Sequence, residues 1–210
     1  MDWFSTLTLA LGSAWTSGIN LYATVTILGV LQKISAVKLP GGLEVLDNWW
    51  IIAVAGGLYA IEFIADKVPY VDSVWDAVHT FIRVPAGAVV AYAATSQMDA
   101  SSTVIAALLG GGLALSSHGT KAALRAGANL SPEPVSNWVL SIVEDIIAFV
   151  GTILAVFAPF IIAVLLLVFG GFFLWFAPKA FRIIRRMINA VKSLFGGATV
   201  KEAAQKVAYN

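Results

Sequence analysis

The longest uncharged stretch of the chain limits most sharply what it can fold into. No charged residue occurs in the 33 positions from Ile146 to Pro178. A helix that crosses the hydrocarbon of a bilayer needs about 20 residues. The stretch is too long for one such helix, and two fit only if the first begins near Trp138. The alternatives are therefore two spans or one long helix kinked at Pro159, and we favour two spans.

The whole chain shares this apolar character. Of its 210 residues 59% are hydrophobic and 12% are charged, whereas a soluble domain is about 45–50% apolar and about 25% charged. An all-α, polytopic transmembrane helical bundle is predicted. There is no cysteine, which excludes a disulfide framework and a thiolate metal site. The length test gives about six spans, at residues 6–31, 48–66, 79–97, 101–120, 138–157 and 160–177.

Several of these spans reach their length only by including charged residues. The second uncharged run has 13 residues before Glu62, so this acid falls inside the span. The third span begins near His79 and carries Arg83 in its first turns, and the fifth carries Glu144 and Asp145. Ionisable residues within membrane spans are costly and mark candidate ion or substrate pathways. In the first span, the sequence "SGIN" at 17–20 favours a kink.

The charged span ends are expected to meet at one side of the membrane. Asp72, Asp76, His79 and Arg83 follow one another at spacings of 4, 3 and 4, which places them on one face of a helix. The candidate pathway residues are Glu62, Asp66, Lys67, Asp72, Asp76, His79, Arg83, His118, Lys121, Arg125, Glu144 and Asp145.

Several functions fit such a group of charges. We interpret it first as the pathway of a transporter or channel for a small ion, an anionic solute or a lipid headgroup. The alternative is a non-transporting structural or assembly subunit whose charges form ion-pair locks. A metal site would use Asp76, His79 and His118, which is a small set of ligands. Neither GxSxG nor HExxH occurs, so an enzyme is the least supported class and no cofactor is expected.

Basic residues orient the predicted spans. The segment "PKAFRIIRRMINAVKSLF" after the last span has five positive charges and no negative one. By the positive-inside rule both termini and the charged span ends face the cytoplasm, in the inner membrane. Residues 1–178 would form the transmembrane domain, and 179–210 a basic amphipathic C-terminal helix and tail. The expected partners are the lipid bilayer and a small ion or anionic solute, without nucleic acid, and a homo-oligomer is left open.

The two charged hairpins resemble each other weakly. "GGLYAIEFIADK" at 56–67 lines up with "GGGLALSSHGTK" at 110–121 and pairs Lys67 with Lys121. Transporters often contain internal repeats of this kind. Small-residue membrane helices also resemble one another by composition alone, so both interpretations stay open.

Four stretches of the chain form a recognisable set: "SGINLYAT", "EFIADKVPYVDSVWDAVHTFIRVPAGA", "SHGTKAALRAGANLSPEPVSNW" and "SIVEDIIAF". They resemble the bacterial membrane protein family DUF4126. Their order matches, and a basic helix follows a "WFAP" exit as in the family. The resemblance covers nearly the whole chain and implies an integral membrane protein. It implies no substrate or reaction, because the family's function is unknown.

The basic tail generates the first testable prediction. Replacing Arg182, Arg185, Arg186 and Lys192 by glutamine is expected to weaken binding of the tail peptide to anionic vesicles. The reason is that each basic residue near an anionic surface contributes about 1 kcal/mol. Co-sedimentation with vesicles of anionic and of neutral lipid measures the effect. Equal binding of the native and neutralised peptides would contradict the headgroup role.

Overall fold

The computed structural model describes residues 1–128 and 134–208, without the side chains at positions 69, 70, 73, 134, 183, 184, 186–188 and 190–208. The only secondary-structure elements of these residues are helices, so the all-α prediction is confirmed for them. The helices are α1 (Trp3–Lys33), a 3₁₀ helix (Gly41–Asp47), α2 (Trp49–Ala65), α3 (Pro69–Ala94), α4 (Ala100–Ala128), α5 (Pro134–Phe157) and α6 (Pro159–Ala208). The chain divides into two compact units, Met1–Phe169 and Gly170–Asn210, which are described separately.

The apolar lengths of these helices agree with a multi-pass membrane protein. Within the described ranges, five helices are long and apolar enough to cross a bilayer, at Trp3–Lys33, Val74–Ala94, Ala100–Ala128, Val135–Phe157 and Pro159–Arg182. A sixth candidate is the 3₁₀ helix together with α2, which are bent by 78° at Asn48. The number of helices that do cross stays a prediction.

Local sequence signals explain where the helices begin. The Asp2 carboxylate accepts a hydrogen bond from the Ser5 amide at 2.8 Å, and the Asn48 side chain accepts one from the Trp50 amide at 2.8 Å. Such side chains satisfy amide groups that have no partner within the first turn of a helix. α6 begins at Pro159, a residue suited to the first helical position. Short polar segments and prolines therefore divide the apolar sequence into separate helices.

α1 is broken in its middle. Asn20 has non-helical backbone angles of φ −146° and ψ 99°. The Thr152 hydroxyl oxygen lies 3.2 Å from the Thr16 hydroxyl and 3.5 Å from the Thr24 hydroxyl. Eight residues of straight helix would separate Thr16 from Thr24 by about 12 Å. The chain therefore turns back at Asn20, and α1 consists of two halves, residues 3–19 and 21–33.

Both ends of α1 consequently lie at the same end of the bundle. A cavity of about 400 Å³ is lined by Met1 and Thr6 together with Leu39, Ala94 and Met98. Ala94 closes α3, far from the charged residues at the start of that helix. The sequence predicts that the first helix crosses once, with its start on the charged side. The structure corrects this prediction: α1 enters and leaves from the opposite end.

α5 and α6 are separate helices, as the two-span interpretation predicts. Ala158 lies between them, and their contacts with α1 run in opposite directions. Along α5, Thr152 lies beside Thr16, whereas along α6, Phe160 contacts Phe4 and Phe169 contacts Trp15. Within the first unit, residues 146–169 therefore form a hairpin, with its turn at the end of the bundle that holds Met1.

Small residues let the first half of α1 pack closely against α3 and α4. A Cβ atom on Gly87 would come within 3.2 Å of the Gly110 carbonyl and 3.4 Å of the Ala14 carbonyl. Ala14 and Ala114 are completely buried at this crossing. Helices in membranes associate largely through such close backbone approach. α1 thus forms the core around which α3, α4 and α5 are arranged.

The second unit is the continuation of α6 from Gly170. Phe172 stacks on Phe176 with ring centres 5.3 Å apart, and the Lys179 ammonium lies 3.2 Å from the centre of the Trp175 ring. The helix continues through Pro178. Among the four predicted headgroup ligands, Arg182 and Arg185 are exposed, and Arg186 and Lys192 lie outside the described side chains. The predicted domain boundary at residue 178, the surface position of the tail and the internal repeat stay predictions.

The doubled-back α1 predicts which loops share one side of the membrane. Since the chain has no cysteine, single variants Trp3→Cys, Asp47→Cys, Gln97→Cys and Val68→Cys can be labelled individually. A membrane-impermeant maleimide is expected to label positions 3, 47 and 97 from one side of sealed vesicles and position 68 from the other. Labelling of positions 3 and 68 from the same side would contradict the returning helix.

Candidate functional site

The ionisable residues predicted from the sequence converge at one end of the first unit. We define the charged cluster as nine buried side chains contributed by α2 to α5 and by the turn after α2: Glu62, Asp66, Asp72, Asp76, Arg83, Lys121, Arg125, Glu144 and Asp145. Glu62, Asp72 and Arg83 are completely inaccessible to solvent. The structure therefore brings together residues that are more than 80 positions apart in sequence. Their functional role stays a prediction.

Arg83 joins α3 to α2 and α4. One guanidinium nitrogen donates to the Glu62 carboxylate at 2.5 Å. The other donates to Asp76 at 3.3 Å and to His118 Nδ1 at 3.1 Å. Arg83 lies nine residues inside the apolar segment Val74–Ala94, where an unpaired guanidinium would be strongly unfavourable. Its position is therefore set by partners from two other helices.

Lys121 lies between four carboxylates. Its ammonium nitrogen is 3.2 Å from Asp66, 3.5 Å from Glu144, and 3.6 Å from both Glu62 and Asp76. An ammonium group has three protons and carries one positive charge. Lys121 therefore cannot neutralise all four acids, although it is close enough to attract each of them.

Arg125 connects α4 to α5 and to the turn between α2 and α3. Its guanidinium donates to both oxygens of Glu144 and to the Asp66 carboxylate at 3.1 Å. It also donates to the Asp66 carbonyl at 2.7 Å and lies 3.1 Å from an Asp72 oxygen. Paired donation to a carboxylate uses the fork geometry of arginine. This residue donates to two acids and one carbonyl, and it forms an ion pair without a hydrogen bond with a third acid, Asp72.

Acids outnumber bases in the charged cluster. Six buried carboxylates face three buried cationic side chains among the described residues. The oxygens without a hydrogen bond there are Glu62 Oε2, Asp66 Oδ1, both Asp72 oxygens, Asp76 Oδ2 and Asp145 Oδ2. A buried carboxylate without compensation is highly unfavourable and takes up a proton or a cation. The cluster as described therefore has capacity for additional positive charge.

Asp145 differs from the other acids of the cluster. Within the described residues no lysine, arginine or histidine nitrogen lies within 4.0 Å of its carboxylate. One of its oxygens accepts a hydrogen bond from the Asn20 amide at 3.1 Å. Asn20 stands at the break in α1, so the acid without an ion pair adjoins the point where the first helix turns back.

Both histidines have both ring nitrogens occupied. His118 Nδ1 accepts from Arg83, because guanidinium only donates, so Nε2 carries the proton and donates to the Thr80 hydroxyl at 2.7 Å. His79 Nδ1 donates to the Trp75 carbonyl at 2.7 Å, and Nε2 lies 2.9 Å from the Tyr22 hydroxyl oxygen. The contact with Arg83 therefore holds the His118 imidazole in its neutral form. His79 lies beside the ion-pair network and takes no part in it.

The metal hypothesis receives no support. No group of three histidine, cysteine, aspartate or glutamate side chains in the described part of the chain could hold a metal ion. Both histidines and one oxygen of Asp76 contact other partners, and the second Asp76 oxygen has no hydrogen bond. Lys67, also a candidate, is half-buried and donates to the Phe63 carbonyl at 2.8 Å rather than to an acid.

Sequence reasoning missed three uncharged polar residues of the site, two on α1 and one on α3. Asn20, Tyr22 and Thr80 all contact residues predicted from the sequence. The kink signal at 17–20 indicated a break, but an uncharged asparagine in an apolar run gave no sign of its partner. In the structure Asn20 is 1% exposed, and a buried amide needs hydrogen-bond partners. The available signal in the sequence was the presence of this polar residue within a long apolar run.

Comparison with known proteins identifies a family. The family model described as "Domain of unknown function (DUF4126)" matches residues 7–179, most of the chain, so the protein belongs to this family. Neither a curated protein nor a solved structure matches the chain. The family prediction made from the sequence is confirmed, and the function has to be argued from the site.

Asp72, which precedes the apolar segment Val74–Ala94, generates a prediction about pH. Burial raises its pKa from 3.8 to about 7, although the charge of Arg125 opposes the change. A group that holds its proton more tightly when folded stabilises the folded state below pH 3.8. That contribution is lost as the pH rises towards about 7.

We therefore expect Asp72→Asn to reduce the fall in Tm between about pH 4 and pH 7. Melting of the purified protein in detergent across this range measures the effect. Asp47→Asn, at an exposed position outside the charged cluster, is the matched control and should retain the wild-type slope. Identical slopes for all three proteins would contradict the assignment.

Proposed function

We propose that this member of DUF4126 is a transporter or channel for a small cation, with the charged cluster as its binding region. The cation would be a proton or a monovalent metal ion. The observation that carries the proposal is the excess of buried acids over buried bases, with carboxylate oxygens left without hydrogen bonds. Intramembrane acids of this kind are typical of ion and proton pathways.

The arrangement of the bases argues against an anionic solute or a lipid headgroup. Arg83, Lys121 and Arg125 each lie within 4.0 Å of two or more carboxylates. An incoming anion would have to displace these carboxylates and would leave them buried without compensation, which is costly. A cation instead reduces the negative excess. The sign of the ligand, open at the level of sequence, is therefore proposed to be positive.

The broken α1 supports a transport role. Ion-coupled transporters commonly place discontinuous helices at their binding sites, where the ends of half-helices offer free backbone groups. In this protein, the break at Asn20 adjoins Asp145 and Lys121, and the Lys121 ammonium lies 3.5 Å from the Ile19 carbonyl at the end of the first half. The break and the acid excess thus occur at the same place.

Orientation and location complete the proposal. We propose that the protein lies in the inner membrane with the charged cluster on the cytoplasmic side. The positive-inside rule favours this orientation, because the sequence prediction places Lys67, Arg125 and the basic tail on that side. The oligomeric state is left open. The lipid bilayer is the proposed environment of the apolar side chains exposed on α2 to α6.

A structural lock is the second candidate function. Five of the six acids lie within 4.0 Å of a base, and these pairs connect α2, α3, α4 and α5. Breaking a buried pair costs about 3–5 kcal/mol because it leaves an uncompensated charge. A lock explains the paired acids. It gives Asp145 no purpose, since this acid has no ion pair in the described structure.

Asp145→Asn tests transport because it removes the unpaired charge and keeps the size of the side chain. Purified protein is placed in vesicles, and H⁺, Na⁺ and K⁺ fluxes are measured under imposed gradients. We expect the wild-type flux to fall about tenfold or more in the variant, the change that accompanies a loss of about 1.4 kcal/mol in binding. Its Tm should not fall below that of the wild type, because no ion pair is broken.

Asp47→Asn, the same substitution at an exposed position outside the cluster, is the matched control and should retain the wild-type flux. If wild-type vesicles carry none of the three cations while Asp66→Asn and Glu144→Gln simply melt earlier, the cluster is a structural lock. In that case the transport proposal is wrong.

A further inference from the structure

Asp72 has an unusual environment among the acids of the charged cluster. Its side chain is completely buried, and neither of its carboxylate oxygens accepts a hydrogen bond. Each of the other five acids accepts at least one, and even Asp145, which has no ion pair, accepts one from Asn20. Hydrogen bonds stabilise the ionised form of a carboxyl group. Within the cluster, the ionised form of Asp72 therefore has the least support of this kind.

The base that contacts Asp72 is already engaged by other acids. Arg125 Nη1 lies 3.1 Å from one Asp72 oxygen, but the contact lacks the geometry of a hydrogen bond. The same guanidinium donates to both oxygens of Glu144 and to the carboxylate and carbonyl of Asp66. It cannot turn towards Asp72 without giving up these bonds. The single positive charge of Arg125 is therefore shared by three acids.

The other charged groups that face Asp72 offset one another in part. Asp76, one turn further along α3, and Asp66, in the turn before α3, disfavour a negative charge at Asp72, whereas Arg125 and Lys121 on α4 favour it. The Lys121 ammonium lies close to four other carboxylates. Burial has the largest effect and raises the pKa of Asp72 from 3.8 to about 7. This acid can therefore take up and release a proton near neutral pH.

The arrangement of the oxygens favours a proton over a metal ion. A metal ion needs several ligands around one point, whereas a proton needs a single oxygen. In the part of the molecule that the structure describes, no three acidic or histidine side chains converge as metal ligands would. His118 is not the acceptor, because its Nδ1 faces the Arg83 guanidinium. A buried carboxylate with two oxygens free of hydrogen bonds suits a proton.

Asp72 also lies at one end of the ion-pair network. It belongs to the first turn of α3, just before the apolar segment Val74–Ala94. Through Arg125 it is connected to Asp66, and Asp66 contacts Lys121, which approaches the Ile19 carbonyl at the break in α1. A neutral Asp72 leaves the charge of Arg125 to fewer acids. Protonation at the edge of the apolar segment therefore changes the charge balance as far as the broken helix.

We propose that the cation bound by the charged cluster is a proton and that Asp72 is the acid that takes it up. The inference rests on the proposed cation transport and names its ion. In the uptake step a proton from water forms an O–H bond with one Asp72 oxygen, and the carboxylate becomes a neutral acid. In the release step this bond breaks, the proton returns to water, and the negative charge is restored beside Arg125.

The test is an infrared titration of the purified full-length protein in detergent. A protonated carboxyl group has a C=O stretching band that is separate from the bands of a carboxylate. We expect the wild type to lose such a band as the pH rises through about 7. Asp72→Asn should lack this component, and Asp47→Asn, at an exposed position outside the cluster, should retain it. If Asp72→Asn does not fold, Asp72→Glu, which keeps the carboxyl group, should retain the band with a shifted midpoint.

Flux in vesicles tests the identity of the ion. We expect an imposed pH gradient to drive proton flux through the wild type, and gradients of Na⁺ or K⁺ to drive none. In Asp72→Asn the proton flux should fall about tenfold or more, because a positioned proton-transfer group typically contributes at least that much to a rate. Asp47→Asn should retain the wild-type flux.

The outcomes separate this inference from the proposed function. A wild type without a band that titrates near neutral pH, or an unchanged band in Asp72→Asn, overturns Asp72 as the proton site. Flux of Na⁺ or K⁺ that depends on Asp145 overturns the proton as the ion and leaves the proposed cation transport standing. A band that Asp72→Asn abolishes, without flux of any cation in vesicles, supports the proton site and overturns transport.

Discussion

The need to compensate charge inside an apolar bundle determines how the helices of this protein meet. α2 illustrates the point, because the only residues it buries are Ile52, Ala55, Glu62 and Ala65. Its apolar contacts are few. At its C-terminal end Glu62 forms an ion pair with Arg83. Just beyond the helix, Asp66 forms ion pairs with Lys121 and Arg125. In a low-dielectric interior such pairs are strong only when every partner is in place. Ion pairs therefore position the end of α2.

The broken α1 depends on the same cluster. A helix end leaves carbonyl groups and amide groups without intrahelical partners. Lys121 approaches the Ile19 carbonyl, and the Asn20 side chain accepts from the Ala23 amide at 2.9 Å while its amide group donates to Asp145. Asparagine can do both because its side chain has one acceptor and two donor positions. The turn is thus stabilised by the residues that also form the charged cluster.

Particular residues show how far the sequence determines the site. Glu62, Arg83 and Asp145 were predicted to converge because apolar runs of insufficient length place them inside span ends. That argument uses only bilayer thickness and helix rise, which hold for any membrane protein. Which acid pairs with which base could not be predicted, since it depends on rotamers of four helices. Asp145 was named with the other acids, and nothing in its sequence neighbourhood distinguished it as unpaired.

The course of α1 could not be predicted from length. Its two halves of about 17 and 13 residues correspond to about 26 Å and 20 Å, so neither crosses a 30 Å hydrocarbon layer alone. Together they have the length of one tilted span. An uncharged run does not show whether the chain continues in one direction or turns back. The kink signal at 17–20 was correct about the break. A reversal requires contacts from another helix, here the contact of Thr152 with both Thr16 and Thr24.

The unequal number of acids and bases supports the proposed binding region over a lock. Arg83, Lys121 and Arg125 provide three positive charges, which three carboxylates would balance at the lowest desolvation cost. Further acids add electrostatic repulsion and hold the bundle together no better. Asp145 is the clearest case, since it is buried, receives one hydrogen bond from Asn20 and has no basic partner among the described residues. Such an acid adds nothing to a static lock, and this supports the proposal that a proton or another cation binds at the site.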